Sequence, residues 1–171
     1  NVEERPTGEI SISAGFGTDG ETIGGGIKEN NFLGKGINLN TNLELTADSI
    51  KGQFIYAKPN FNYTDNTLFT SLKSSTSDFL TDFGYKTSEI GFSLGTKFEQ
   101  FQNIFFSPEI DFLIEDLETS DKASSTLKKQ EGSYKDLYFN YAINQDLRDK
   151  KFRTEDGYTT TFSQEVPIVS D

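Results

Sequence analysis

The side chains in this sequence that could carry covalent chemistry are few in kind, because His, Cys, Met and Trp are all absent. Without imidazole or thiol, Ser-His and Cys-His nucleophilic pairs, the usual soft metal sites and disulfides are excluded together. Carboxylates remain, and Glu109 and Asp111 stand two residues apart, which places them on one side of an extended chain. A general acid–base pair needs one member in an apolar pocket. The alternating residues around these two describe a polar face instead, so both are expected to line a wetted surface. No catalytic, cofactor-binding or metal-ligating residue is assigned, and no enzyme is expected. The chemistry that remains belongs to the backbone, whose N–H and C=O groups at an unpaired strand edge template pairing with another chain.

An edge of that kind requires strands, and alternation runs through almost the whole chain. In Gly36–Thr46, Ile37, Leu39, Leu43 and Leu45 fall on one face and Asn38, Asn40, Asn42 and Glu44 on the other. Glu9–Gly17 sets Ile10, Ile12, Ala14 and Phe16 against Ser11, Ser13 and Gly15. The same reading gives strands over Thr22–Asn30, Ser49–Lys58, Thr67–Thr76, Thr87–Glu99, Ile104–Leu117, Tyr134–Asp146 and Tyr158–Ile168, with Thr67–Thr76 the least regular. These nine segments have the length that a tilted membrane-crossing strand needs. Only 33% of the 171 residues are apolar, yet Phe (16) and Tyr (7) are plentiful, which is not the composition of a disordered chain. No apolar run is long enough for a transmembrane helix. The net charge of −11 disfavours a nucleic-acid partner and keeps loops solvated.

Turn residues separate the strands: Thr18-Asp19-Gly20, Gly34-Lys35-Gly36, Thr46-Ala47-Asp48, Thr64-Asp65-Asn66 and Glu155-Asp156-Gly157. Two connections, Ser77–Lys86 and Glu118–Ser133, read as longer and lie on one side of an up-and-down meander, the loop asymmetry expected of outer-membrane barrels. The expected fold is all-β: an antiparallel up-and-down transmembrane β-barrel, incomplete, with about nine strands of a larger barrel. A soluble β-sandwich also alternates. However, the face opposite the apolar one carries Asn, Ser, Gly and Gln beside scattered charges, as a watery lumen would. The start Asn1-Val2-Glu3-Glu4-Arg5-Pro6 has no apolar leader and reads as the middle of a longer protein.

Four short motifs add a family resemblance. Val2-Glu3-Glu4-Arg5-Pro6-Thr7-Gly8, followed by an alternating strand, resembles the junction of the last POTRA domain with the first barrel strand in BamA-type outer-membrane assembly proteins. Asn31-Phe32-Leu33-Gly34-Lys35-Gly36 is similar to that family's turn between strands two and three. Pro59-Asn60-Phe61 is similar to the turn after strand four, with Pro and Asn transposed. Asp146-Leu147-Arg148-Asp149, with Phe152 to Gly157, is similar to the turn after strand eight, with Arg153 where the family usually has Pro. The division this implies is residues 1–8 as the end of a POTRA domain and its junction, and 9–171 as the N-terminal part of the barrel.

The resemblance implies insertion and folding of β-barrel proteins in the bacterial outer membrane. Its first strand would act as lateral gate, with the backbone of Glu9, Ile10, Ser11, Ile12, Ser13, Ala14 and Gly15 pairing a client strand. It further implies outer-membrane lipids, unfolded barrel clients and assembly-complex lipoproteins as partners, and no cofactor. The turn residues Asn31, Phe32, Leu33, Gly34, Gly36, Pro59, Asn60, Phe61, Arg148, Asp149 and Gly157 would carry the family motifs, with Phe32 and Phe61 at the periplasmic interface. The competing readings are a passive channel or porin, and a related TamA-like or two-partner secretion transporter.

Overall fold

The structure is a computed structural model that describes residues 8–17, 20–150 and 152–170. The expected junction Val2–Thr7 and the turn residues Thr18 and Asp19 therefore lie outside the described residues. Nine strands follow one another: β1 (Gly8–Gly17), β2 (Gly20–Phe32), β3 (Ile37–Leu45), β4 (Ser49–Lys58), β5 (Thr67–Phe79), β6 (Tyr85–Phe101), β7 (Ile104–Thr119), β8 (Gly132–Asp146) and β9 (Thr159–Ser170). Each pairs antiparallel with its neighbours in sequence, forming one open sheet in the order β1 to β9.

The register turns the alternation of each strand into two surfaces. One cross-strand row runs Ile10, Ile27, Thr41, Phe54, Leu72, Phe92, Phe112, Leu137, Val169. The adjacent row runs Glu9, Lys28, Asn40, Ile55, Ser71, Ser93, Asp111, Tyr138, Pro167 on the opposite face. A one-residue slip anywhere would exchange these faces, so burial of the apolar one in lipid specifies the register.

Among the described residues no second layer covers the apolar face. Among the described residues the only buried hydrophobic side chains are Ile37 and Ala123, while Ile12 is 84% and Phe16 87% exposed. Leaving a large apolar side chain in water forgoes about 1.5–3 kcal/mol each, so a bare face this extensive needs a nonpolar solvent rather than a partner sheet. A bare apolar face across nine strands agrees with an incomplete barrel whose outer face meets hydrocarbon.

The connections differ from expectation. β5 to β8 continue past the apolar stretch, with Ser88 opposite Asp116 and Lys86 opposite Glu118 beyond the Ile90–Ile114 pair. Backbone pairing does not require apolar side chains, so the ladder continues where the apolar signal stops. The two connections expected to be long shrink to 80–84 and 120–131, the second containing helix α1 (Ser125–Lys129). At the other end of the sheet the 147–158 connection is just as long. The asymmetry therefore lies in strand length: 17 residues in β6 and 16 in β7 against 10 in β1 and 9 in β3. The two shortened loops pack together, with Ser120 N donating to Gly84 O at 2.8 Å and Lys122 Nζ donating to Thr81 O at 2.6 Å.

Candidate functional site

β1 is an edge: among the described residues it pairs with β2 alone, in unbroken register from Gly8↔Glu29 to Gly17↔Gly20. Its sequence explains the closeness of that pairing. Ser11 and Ser13 face the lumen opposite Gly26 and Gly24, where a Cβ would stand 2.9 Å from Ser11 Oγ and 2.6 Å from Ser13 Oγ. Glycine at both positions lets the serines lie close to the neighbouring backbone. Ile10, Ile12, Ala14 and Phe16 point to the apolar side. The lumen side of this corner is an open groove of about 470 Å³ that Ser11, Ser13, Asn42 and Gln53 help to line.

The three described family turns all lie at the end of the sheet where β1 begins. In the first, Leu33 and Gly34 both have positive φ (56° and 68°), and Lys35 N donates to Phe32 O at 3.2 Å, the backbone sense of a tight hairpin turn. Asn31 closes it: its Oδ1 accepts from Gly36 N at 2.7 Å, and Gly36 itself sits at φ 65°. Phe32 is 40% and Leu33 72% exposed.

In the second turn Asn60 takes φ 51°, a left-handed conformation that Asn tolerates and Pro cannot adopt. The transposed order Pro59-Asn60 puts the permissive residue where the chain needs it. Phe61 N donates to Asn66 O at 2.9 Å, and Lys58 Nζ lies 5.7 Å from the centre of the Phe61 ring.

The third turn is built on two carboxylates. Arg148 forms a fork to Asp146, with Nε to Oδ1 at 2.8 Å and Nη2 to Oδ2 at 2.7 Å. Asp149 Oδ1 accepts from the backbone N–H groups of Glu155 (3.1 Å) and Asp156 (3.2 Å). These hydrogen bonds, that from Asp156 foremost, hold the Asp149 carboxyl below the usual carboxylate range. Gly157 has φ 89°, and a Cβ there would overlap the carbonyl oxygen of Leu147. Arg153 stands at φ 53°, again closed to proline.

The expected residues thus form two groups and not one cluster: a backbone edge at β1, and turns distributed along one rim. Sequence reasoning passed over a polar network on the lumen wall. Lys73 pairs with Glu89 at 2.9 Å, the Ser71 and Ser93 hydroxyls are 2.7 Å apart, and Asn140 Nδ2 donates to Asp111 Oδ2 at 2.6 Å. Lys73 lies across the bare backbone of Gly91, and the Phe69 ring across Gly95. Those glycines, opposite a Lys and a Phe in register, were the available signal.

Comparison with known proteins places these features in context. A family model described as the Omp85 superfamily domain matches residues 31–170. No curated protein matches the sequence. Among solved structures, the chain is similar to the crystal structure of BamA from Haemophilus ducreyi lacking POTRA domains 1–3, with a TM-score of 0.74 and 20% identity. The likeness covers 97% of this chain and 35% of that one, so the chain spans about a third of the length of the matched structure.

Proposed function

The chain belongs to the Omp85 superfamily and forms part of a bacterial outer-membrane β-barrel, and from this membership we propose that the protein carrying it inserts and folds β-barrel proteins in that membrane, with β1 as lateral gate and template for client strands. The observation that carries the reading is the unblunted sequence and unbroken register of β1. Natural edge strands are blunted by Pro, Lys, bulges or short length. β1 has ten residues, no Pro, no Lys and no register shift against β2. A client strand laid against Glu9 to Gly15 would pair with the N–H and C=O groups directed away from β2, gaining affinity from backbone and little selectivity from side chains. Outer-membrane lipids would meet the apolar face, and the turn rim would meet periplasmic partners, including assembly lipoproteins by family resemblance.

The test is a proline scan of β1 in the full-length protein. In an antiparallel strand, alternate residues direct their N–H groups to opposite neighbours. Pro at Ser11 and Ser13 therefore removes donors from one side of β1, and Pro at Ile12 and Ala14 from the other. One pair is expected to loosen only the β1–β2 ladder. The other is expected to abolish most client assembly while the protein itself still inserts. Normal porin levels in all four variants would dispose of the template role.

A further inference from the structure

Of six carboxylates on the lumen wall of β6 to β9, only Glu89 has an ion-pair partner among the described residues. Glu89, Glu109, Asp111, Glu115, Asp136 and Glu165 all lie on the face opposite the apolar one. Lys73 reaches Glu89. Among the described residues none of the other five takes part in an ion pair. Glu89 and Glu115 stand directly opposite one another, an unfavourable like-charge pairing.

Burial sharpens the imbalance. Asp136 is only 6% exposed, lines a cavity of about 550 Å³ below α1, and its Oδ1 has no hydrogen-bond donor among the described residues. Asp111 Oδ1 and Asn140 Oδ1 are likewise buried without a donor. A second hollow of about 390 Å³ lies against Asp111, Glu109 and Glu165. Buried acceptors left unpaired are costly, and native proteins rarely keep them without a partner. Every unsatisfied atom here is an acceptor, so what belongs in the stripe is a donor.

The shape selects the kind of donor. From Glu109 to Glu115 the stripe runs along six residues of strand, about 20 Å. Among the described residues no three acidic groups converge closely enough to hold a metal ion. A single ion would leave most of the stripe unmatched. A guanidinium offers five N–H donors in a fixed fork, and several along an extended chain would match acceptors strung along strands. A barrel strand added at β1 turns its polar alternate side chains into the lumen, where they face this wall's field.

We propose that the Glu109–Glu115 and Asp136 stripe is a docking surface for a basic, arginine-bearing segment of a client polypeptide. The proposal rests on the assembly reading above.

The experiment titrates hexa-arginine into the full-length protein in outer-membrane lipid nanodiscs, followed by calorimetry, with Mg²⁺ alone and hexaglutamate as separate titrations. Saturable binding of hexa-arginine is expected, weakening with added salt, and about tenfold or more weaker in the Asp111→Asn/Asp136→Asn double variant. Glu115→Gln, at a less buried position, provides the comparison if the double variant fails to fold. Absence of saturable hexa-arginine binding would overturn the proposal, as it would if the protein's own chain already filled the stripe. Unchanged affinity in the variants, or equal binding of Mg²⁺ or hexaglutamate, would also overturn it. Assembly measured on the same preparations separates the two claims. Peptide binding with β1 proline variants fully active leaves the stripe and removes the template. Dependence on β1 without peptide binding does the reverse.

Discussion

Gly157 shows how much of a turn rests on one missing carbon. With φ at 89° and the Leu147 carbonyl where a Cβ would go, Gly157→Ala is expected to cost about 1–3 kcal/mol or to move the turn, read as a lower unfolding temperature on heat-modifiable gel mobility. Asp149 makes the same turn sensitive to acid. Its carboxyl is depressed in the folded state, chiefly by the Asp156 N–H, so its contribution is complete above about pH 4, the unfolded value, and is lost as pH falls through the lower folded one. Protection of the Glu155 and Asp156 amides against hydrogen exchange should fall over that acid range, and Asp149→Asn should reduce it already at neutral pH. The residue types of these turns were legible in the sequence. Their reasons were not, because φ is invisible there: Arg153 reads as a departure from the motif until its left-handed backbone shows that proline could not have stood in its place.

At the scale of elements, the nine strands were legible because each sets apolar side chains on one face, and Ser49–Lys58 agrees to the residue. Strand ends were less legible. In the outer portions of β5 to β8 the face that is apolar elsewhere turns polar, so Asp78↔Lys86 and Lys86↔Glu118 carry the ladder onward without the signal that announced it. β5 looked irregular for a related reason, since Lys73 and Phe69 are accommodated by glycines on the next strand. The boundary between the two portions is testable. Ile110 sits mid-way along the apolar span of β7 between Leu94 and Phe139, and Ile110→Arg should destabilise the barrel by about 2–4 kcal/mol in lipid. Asp116→Arg, six residues on the same face but beyond the apolar rows, should change stability by less than about 1 kcal/mol. Equal costs in urea titrations of the folded protein in bilayers would contradict the assigned membrane boundary.

For the whole molecule, the sequence announced a barrel and its family, and the matched Omp85 domain over residues 31–170 agrees. The acidic stripe was not legible, although each carboxylate was in view. Only register brings Glu89 opposite Glu115 and Leu113 opposite Asp136, and only burial shows which oxygens lack donors. The unequal strand lengths have a mechanical consequence. Resistance of a sheet to being peeled grows with the length of the seam, and the β6–β7 seam joins strands of 17 and 16 residues while β1 offers 10, set against the run Gly24-Gly25-Gly26. A tensile load on this sheet is therefore not shared evenly. It concentrates on the short seams among β1 to β4, which would part while the long strands behind them still stand as a rigid backing plate.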